Sequence, residues 1–544
     1  FISYFCILIL HVIFTICQSM KKIRIRCITG ALLAAALVSG GLWIRAQGME
    51  TTGTEVLSES ALPDTQDSTA EDVVTEEPQE TTLYEKEQQI PAHADMQEQI
   101  EAILAAGTQN FFAGYAVDES FLLWVQNTYG DEALQSLADG VEQATAELWY
   151  MVTEHSIHAL WMEYCRDTGY ASYLLSNVRW IDCADEDTIT MDFIGDINFD
   201  ENWDTMRVLD ERGGMLENCI SGEILEELSS ADIAMANNEF TLSLRGTALE
   251  EKSYVFRADP LRVRYYKKMG IDIVSLANNH TWDYGEDALL DTLAVLKDEN
   301  ISYVGAGKNL AEASKIPYFV ANGRKIAIVS ATQIERYHRY TKEATEDSAG
   351  VLKTLDPELF VSRIREAKAN SDYVIAYVHW GTEGNLYPDA DERALAELYT
   401  DAGADVVIGG HAHRLQGGTF IDGKPVLYSL GNFWFSDGAL YTSIAHLTIQ
   451  KDGALNVSLL PCEQKDFTVS LLAGQKQQEE FYKYIADLSS GVGISEDGTL
   501  YDIGEGQETE GLPALLYQSG QKYRSRHGDV DLEGNSIDIV GNVK

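Results

Sequence analysis

Six short apolar runs, each followed by polar residues, dominate the sequence between residues 189 and 409. The runs are 189–195, 232–236, 271–277, 325–331, 373–378 and 404–409. Helical stretches lie between most of them, for example at 286–298 and 391–402. Apolar runs that alternate with helices are typical of strands buried on both faces of a sheet. The pattern therefore predicts an α/β fold in which helices cover a largely parallel sheet.

The region before these runs has apolar residues at helical spacing. The periodic positions are Ile100, Ile103 and Leu104, then Phe121, Leu122 and Val125, then Ala144, Leu148, Met151 and Val152. They predict a small helical unit over 92–185, ahead of the α/β region at 186–465.

The strands expected after Pro425 are short and closely spaced, at 425–429, 444–449 and 455–460. This spacing suggests a second, more antiparallel sheet. Residues 466–544 are expected to form a C-terminal extension.

The N-terminal segment has the layout of a signal or anchor sequence. Residues 1–19 are apolar and do not begin with Met, so Met20 is the expected natural start. Basic residues at 21–26 precede an apolar run at 27–44, which is near the lower limit of about 17 residues for crossing a bilayer. The basic flank predicts a single-pass anchor within 1–47 and a main domain outside the cell. A secreted protein is the alternative if the segment is cleaved.

The next segment, 48–91, is rich in Thr, Ser and Glu. It has too few apolar residues to offset the entropy of ordering, so we expect a disordered acidic linker between membrane and folded part. The whole chain carries a net charge of −46, which repels polyanions and excludes nucleic acid as an expected partner. An anionic substrate would need a locally positive site, and a bound metal ion would supply one.

Residues that can bind metals follow five of the predicted strands. They are Asp196 and Asn198, then Asn238 and Glu239, then Asn279, His280 and Asp283, then His379 and Glu383, and finally His411 and His413. Each motif alone is explained as well by a turn or a cap, but five together are not. Oxygen and nitrogen donors without thiolate suit Mn, Fe, Zn or Mg. Because strand ends meet at one edge of a sheet, the pattern predicts a metal site there.

Six motifs extend this pattern into a family resemblance. They are GDINF (195–199), NNEFTLS (237–243), LANNHTWDYG (276–285), VHWGTE (378–383), DAGADVVIGGHAH (401–413) and YSLGNFWF (428–435). In this order they resemble the CapA family of poly-γ-glutamate capsule-synthesis proteins, also called PgsA. The resemblance covers about 188–460 and implies a calcineurin-like metallophosphoesterase fold, an αββα sandwich.

The resemblance also implies roles for individual residues. The implied ligands of one or two divalent metal ions are Asp196, Glu239, Asn279, His379, His411 and His413. His280, held by Asp283, is implied as the catalytic proton donor. The residues expected to contact substrate are Asn198, Asn238, Glu383 and Asn432. Metallophosphoesterases have Asp-x-His as their first motif, and Asn198 here replaces the histidine, which puts one of the two ions in question.

Two classes of function follow from the resemblance. The first is a metal-dependent hydrolase that acts on an anionic polymer or another phosphoester or acyl substrate during capsule formation. The second is a non-catalytic accessory subunit that works with other capsule-synthesis proteins.

Two further groups of residues have simpler interpretations. His155 and His158 lie three apart and could form a metal pair, but packing histidines are the favoured interpretation because no third ligand is near. Cys165, Cys183, Cys219 and Cys462 show no zinc-type spacing and are expected to be buried and unpaired, with one disulfide as the alternative.

Overall fold

The computed structural model describes residues 94–143, 145–334, 340–504 and 517–518. The expected membrane segment at 27–44 and the acidic linker at 48–91 lie outside these ranges. Among the residues described, no helix combines the length and the apolar character needed to cross a bilayer.

One run of helices precedes the first long strand, and most of the others alternate with strands. The α-helices of the described residues are α1 (Ala94–Ala106), α2 (Glu119–Tyr129), α3 (Asp131–Gly140), α4 (Glu147–Thr153), α5 (Ile157–Thr168), α6 (Asp204–Glu211), α7 (Gly222–Ser230), α8 (Arg264–Met269), α9 (Glu286–Asp298), α10 (Leu310–Ala313), α11 (Glu358–Ala369), α12 (Ala390–Ala402) and α13 (Gln475–Leu488). Side-chain caps fix the N-termini of several helices. At α2 the Asp118 side chain accepts a hydrogen bond from the backbone N–H of Phe121, and at α7 the Ser221 side chain accepts one from the backbone N–H of Ile224.

The strands vary from two-residue bridges to eleven-residue strands. They are β1 (Val178–Ile181), β2 (Thr188–Ile197), β3 (Ile233–Asn238), β4 (Thr241–Leu242), β5 (Arg257–Ala258), β6 (Ile273–Ser275), β7 (Ser302–Val304), β8 (Ala306–Gly307), β9 (Tyr318–Ala321), β10 (Arg324–Thr332), β11 (Gly350–Val351), β12 (Tyr373–His379), β13 (Val406–Gly410), β14 (Gly418–Ile421), β15 (Lys424–Leu427), β16 (Asn432–Trp434), β17 (Leu440–Gln450), β18 (Leu455–Lys465), β19 (Thr468–Leu471), β20 (Val492–Ile494), β21 (Leu500–Asp502) and β22 (Tyr517–Gln518).

Most of these strands belong to two mixed sheets. Sheet I has the order β1-β9-β10-β12-β13-β15-β14, with a parallel centre from β10 to β15. Sheet II has the order β19-β18-β17-β2-β3-β6-β7, and β16 also pairs with β2. Strands β2, β3, β6 and β7 are parallel, whereas β17, β18 and β19 extend the sheet in antiparallel fashion.

The six predicted strands all form, but the expectation of one largely parallel sheet is wrong. Strands β2, β3 and β6 lie in sheet II, and β10, β12 and β13 lie in sheet I. A strand between two sheets has both faces buried, as does a strand between two helical layers, so apolar runs do not distinguish these arrangements. The later strands likewise do not form a separate sheet: β15 joins sheet I, while β17 and β18 join sheet II.

The two sheets pack face to face in a four-layer αββα sandwich. Between them lies a core that includes Met191 and Phe193 from sheet II and Ile328 and Ile375 from sheet I. Each fully buried side chain of this size contributes about 1.5–3 kcal/mol relative to an exposed one. The αββα arrangement implied by the resemblance is thus present.

A helical layer covers the outer face of each sheet. Outside sheet I, Ala376 packs in a core with Phe360 of α11, Tyr399 of α12 and Trp161 of α5. Outside sheet II, the corresponding core includes Ile194 and Ala236 of the strands with Leu228 of α7 and Leu289 of α9.

The predicted helical periodicity is correct in α1 and α2 and displaced in α4. Ile100, Ile103, Phe121, Leu122 and Val125 are buried. In α4 the buried side chains are Trp149 and Thr153, and Met151 is 69% exposed. The large indole determines which face of this short helix is buried, because it fills the space that the shorter side chains would leave.

The helical region and the C-terminal strands are both continuous with the sandwich. Strand β1 pairs in parallel with β9 of sheet I, and β19 pairs with β18 of sheet II. Helix α13 contributes Phe481 and Ile485 to the core between the sheets.

Candidate metal centre

Strand ends from both sheets meet at one site. Asp196 lies near the end of β2, Glu239 follows β3, and Asn279 follows β6. His379 ends β12, and His411 follows β13 of sheet I. The site therefore lies where the carboxyl ends of the parallel strands in both sheets converge.

A β-bulge turns Asp196 into this site. Ile194 and Ile197 both pack on the outer face of sheet II, although simple alternation would place residues three apart on opposite faces. The pairing of β2 with β3 shifts register between Phe193 and Asp196. The extra residue brings Asp196 onto the inner face, where its carboxylate contacts Asn237.

The backbone after β13 is held in an unusual conformation. His411 has φ 90° and His413 has φ 53°, both in the left-handed region that non-glycine residues rarely occupy. Each such residue costs on the order of 1 kcal/mol, which the surrounding contacts must offset. Gly410 allows the close approach, because a Cβ there would lie 3.1 Å from Asp196 Oδ1. The chain thereby presents both imidazoles to the same site.

Asp196 is fully buried and contacts three groups. Its Oδ1 accepts a 2.7 Å hydrogen bond from Asn237 Nδ2, and its Oδ2 accepts a 3.3 Å bond from the backbone N–H of His411. His413 Nδ1 lies 3.6 Å from the same Oδ2.

The carboxylate of Glu239 lies at the centre of the site. Both carboxylate oxygens are buried, and neither has a hydrogen-bond partner among the described residues. Its Oε1 lies 3.6 Å from His379 Nε2, and 3.8 Å from the Nε2 atoms of both His280 and His413. A buried carboxylate without a donor is costly, and a bound cation would satisfy it.

The ligand-type atoms form two sets that share Glu239. One set contains Glu239, His379 and His411, and the other contains Asp196, Glu239 and His413; within each set the atoms lie within 4.8 Å of one another. Asn279 adjoins the first set, with Oδ1 2.8 Å from His379 Nε2. His411 Nδ1 lies 3.1 Å from the same Nε2, so two imidazole nitrogens face each other. All six predicted ligands are therefore brought together, and the donor set fits one or two divalent ions.

Burial shifts the pKa values of Asp196, Glu239 and His379 in the direction that favours their uncharged forms. Burial raises the pKa of Asp196, and burial together with Asp196 raises the pKa of Glu239 well above its usual range. Burial and the adjacent His411 hold the pKa of His379 well below its usual range. A neutral imidazole is the form that coordinates metal, and a cation would favour the ionised carboxylates.

His280 lies beside the ligand sets in a separate hydrogen-bonded group. Its Nδ1 is 2.7 Å from Asp283 Oδ2, which leaves Nε2 directed toward Glu239. Asp283 also accepts hydrogen bonds from the backbone N–H of Phe256 and from Lys252. Burial and the Lys252 charge lower the pKa of His280, and the Asp283 carboxylate partly offsets this by raising it.

Two residues of the site escaped the sequence analysis. Lys252 Nζ donates a 2.6 Å hydrogen bond to the backbone oxygen of Asn279 and lies 3.4 Å from His280 Nδ1. It comes from a loop between strands, where a lone lysine carries no local signal. Asn237 does have a local sequence signal. It lies two residues before Glu239, and alternation along a strand places the two side chains on one face.

The predicted substrate residues occupy different environments. Asn238 points away, since its amide donates to Phe240 O at 2.6 Å and its carbonyl oxygen accepts from the Tyr266 hydroxyl at 3.0 Å. Asn432 Oδ1 lies 2.6 Å from His413 Nδ1 and so orients that ring. Glu383 is exposed, and its charge raises the pKa of Asp196 and of Glu239.

Asn198 uses its side-chain oxygen locally. Oδ1 accepts a 2.8 Å hydrogen bond from the backbone N–H of Asp200, and the buried Nδ2 has no partner among the described residues. This oxygen is therefore engaged in a turn rather than directed at the two ligand sets.

The other candidate groups behave as packing residues. His155 Nδ1 lies 2.7 Å from Glu163 Oε1, and His158 Nδ1 lies 3.1 Å from the Tyr115 hydroxyl, which confirms the favoured interpretation of this pair. The described cysteines are all free as expected, and all are buried as expected except Cys183, which is half-buried. They are Cys165, Cys183, Cys219 and Cys462.

Comparison with known proteins assigns the chain to a family. Residues 190–437 match the family described as "Bacterial capsule synthesis protein PGA_cap". The PGA biosynthesis protein CapA of Bacillus subtilis (strain 168) is 30% identical over 288 residues, which cover 52% of this chain and 73% of that protein. This chain belongs to the PGA_cap family. The capsule biosynthesis protein CapA of Bacillus anthracis is 28% identical over 276 residues, covering 49% of this chain and 66% of that protein.

Solved structures give weaker likenesses. A hypothetical protein from Thermus thermophilus is 17% identical at a TM-score of 0.31, covering 50% of this chain and 99% of that one. The 5'-nucleotidase from Candida albicans SC5314 is 14% identical at a TM-score of 0.29, covering 52% of this chain and 53% of that one. At these scores neither structure bears on the function of the PGA_cap chain.

The PGA_cap match coincides with the metal centre. All twelve predicted site residues, from Asp196 to Asn432, lie within the matched range 190–437. Lys252 and Asn237 lie within it too, whereas the helices before β1 and the strands from β17 onward lie outside.

Proposed function

We propose that this chain is a cell-surface protein of capsule or poly-γ-glutamate synthesis or export, with a divalent-metal centre that hydrolyses a phosphoester or acyl bond. The names of the two CapA relatives support the biological setting. The metal centre supports the chemistry. The order of the motifs and the αββα layers support a hydrolase of the metallophosphoesterase type.

One observation carries the chemical part of the proposal. The carboxylate of Glu239 is buried, lacks a hydrogen-bond partner among the described residues, and belongs to two ligand sets at once. Such a group is unfavourable in a protein without a cation and suited to bridging two ions. The ligands would be Asp196 and His413 on one side of Glu239, and Asn279, His379 and His411 on the other.

The remaining residues supply positioning and a proton. When bound, divalent ions would polarise the scissile group and neutralise the charge that develops on it. His280 donates Nδ1–H to Asp283 and so keeps Nε2 toward the centre; in its imidazolium form, which the Asp283 carboxylate stabilises, it would give the Nε2 proton to the leaving group. Lys252 holds both Asp283 and the backbone of Asn279, which fixes the donor relative to the ligand.

A second candidate function is favoured by Asn198. A histidine at this position would add a nitrogen ligand, but Asn198 gives its oxygen to the backbone of Asp200. The Asp196 set then has fewer ligands, and one ion would be held weakly. A centre with a single firm ion fits an accessory subunit that binds an anionic polymer, or partners in capsule synthesis, without cleaving it.

The location we propose is the outer surface of the cell membrane. The basic residues at 21–26 before the apolar run at 27–44 support a single-pass anchor, with cleavage and secretion as the alternative. Protease added to intact cells should release the folded region by cutting within 50–90. Full protection of that region would contradict this location.

Metal content and hydrolysis measured on one purified sample test the catalytic proposal. The probes are p-nitrophenyl phosphate, bis(p-nitrophenyl) phosphate and p-nitrophenyl acetate with added Mn²⁺ or Zn²⁺. We expect hydrolysis that falls about 10²- to 10⁴-fold in His280→Ala, the usual effect of losing a general acid, while bound metal stays nearly constant. His155→Ala, a histidine far from the centre in sequence and fold, is the matched control.

Two results would count against the catalytic role. A metal-loaded wild type without hydrolysis of any probe would favour the accessory subunit. Equal rates in His280→Ala and His155→Ala would remove His280 from the mechanism.

A further inference from the structure

A second polar cluster lies on the outer face of sheet II. We call Asp192, Glu227 and His446 the outer cluster; they come from β2, α7 and β17. Asp192 and His446 are directly opposite each other in the antiparallel pairing of β2 with β17. His446 Nδ1 lies 2.7 Å from Asp192 Oδ1 and 3.5 Å from Glu227 Oε1. One ligand-type atom from each residue lies within 4.8 Å of the others.

The outer cluster is separate from the metal centre. Met191 and Phe193 face the core between the sheets, so Asp192 between them faces the helical layer. Asp196 is four residues further on, about 13 Å along an extended strand, and the bulge turns it to the opposite face. The two groups share no residue.

Asp192 carries the observation that points to a ligand. It is 0% exposed, and its Oδ2 has no hydrogen-bond partner among the described residues. His446 reaches only Oδ1, so this pairing leaves half of a buried carboxylate unsatisfied. Leaving such an acceptor without a partner costs about 1–3 kcal/mol. A cation placed against Asp192 would remove this cost.

The other two side chains keep the cluster open to solvent. The side chain of His446 is 22% exposed and that of Glu227 is 31% exposed. An ion can therefore enter past them, and a water molecule can occupy a further coordination position. Because two carboxylates balance a divalent charge, the loaded cluster would be neutral.

We propose that Asp192, Glu227 and His446 form a second divalent-metal site that binds zinc. Zinc accepts both imidazole nitrogen and carboxylate oxygen as ligands, whereas calcium and magnesium prefer oxygen alone. The ligands lie on two paired strands and on the helix packed above them. Bound zinc thus links β2, β17 and α7, which is a structural role that does not depend on the proposed hydrolysis.

A proton is the competing occupant. The Asp192 carboxylate raises the pKa of His446, so without metal a protonated His446 pairs with Asp192. An ion pair of this kind needs no zinc, and it depends chiefly on Asp192, because Glu227 lies farther from the ring nitrogen, at 3.5 Å, and raises the pKa of His446 less. The role of Glu227 therefore distinguishes the two occupants.

Zinc binding by the full chain tests the proposal in a background that weakens the metal centre. The background carries His411→Ala and His413→Ala, and zinc is titrated calorimetrically at pH 7.5. In that background Glu227→Gln is compared with Glu226→Gln, an exposed neighbour on the same helix. We expect Glu227→Gln to weaken zinc binding by about tenfold or more and Glu226→Gln to leave it unchanged. Zinc still held by the metal centre is common to both variants and cancels in the comparison.

Thermal melts with zinc and with EDTA provide the second readout. We expect zinc to raise the melting temperature of Glu226→Gln more than that of Glu227→Gln. Because Glu227 is half-exposed, its neutral isostere should fold normally. Equal zinc affinity and equal zinc-dependent melting in the two variants would overturn the proposal and leave the proton as the occupant.

Discussion

Replacing Glu239 with glutamine should change stability in opposite directions with and without metal. Neither buried oxygen of this carboxylate has a hydrogen-bond partner among the described residues. An unsatisfied buried acceptor costs about 1–3 kcal/mol, and a charged one costs more. Burial raises the pKa of Glu239, so without metal at neutral pH folding must either bury its charge or take up a proton, whereas glutamine keeps the shape and requires neither. In EDTA we therefore expect Glu239→Gln to have a free energy of unfolding about 1–3 kcal/mol above that of wild type.

Metal should reverse this order. Glu239 belongs to both ligand sets, so the substitution weakens both at once. A ligand that binds only the folded state stabilises it by about 2.7 kcal/mol at a concentration of 100 Kd. Wild type should gain about this amount in excess Mn²⁺, whereas the variant should gain little.

Urea unfolding followed by tryptophan fluorescence measures both effects. The proteins are wild type, Glu239→Gln and Glu217→Gln, whose exposed carboxylate serves as the control. Each is unfolded in EDTA and in excess Mn²⁺, and the control should follow wild type in both. If wild type is the more stable protein in EDTA as well, Glu239 is satisfied by another group and its burial gives no reason to expect a bound cation.

Two further variants address the ligand set and helix α12. Replacing both His411 and His413 with alanine deletes two neutral nitrogen donors and should remove most of the bound metal. The fold should survive, because both residues follow the end of β13. An unchanged metal-to-protein ratio by elemental analysis would contradict the assignment. Glu392 is buried in the first turn of α12, and burial raises its pKa from 4.5 to about 8. Its stabilising contribution is thus complete below pH 4.5 and is lost as the pH rises through 8. Between pH 5 and 8 wild type should lose roughly 3 kcal/mol that Glu392→Gln keeps, and parallel stability curves would show that the carboxyl is not desolvated.

Much of the metal centre could be predicted because its ligands follow strands directly. A strand end carries its side chains to a sheet edge wherever that sheet lies, so the motifs around Asp196, Glu239, Asn279 and His379 were sufficient to predict one cluster. The family resemblance then indicated which of these residues are metal ligands. No local pattern could show that the edge belongs to two sheets, because packing between sheets and packing under helices produce the same apolar runs.

The missed features depend on contacts that the local sequence does not encode. Lys252 reaches Asn279 and Asp283 from a loop about thirty residues earlier in the chain. The inward turn of Asp196 depends on a bulge, which alternation of apolar residues does not reveal. Alternation does separate Asn237 from Asn238, and applying it strictly from Glu239 backwards would have placed Asn237 in the site.

The division of the ligands between two sheets makes the centre sensitive to the thickness of the sandwich. Asp196 and Glu239 move with sheet II, while His379 and His411 move with sheet I. The side chains between the sheets, such as Phe193 and Ile375, therefore act as spacers that set the distance between the two halves of the ligand set. A substitution there alters metal affinity without touching a ligand, and affinity can be tuned from deep inside the protein.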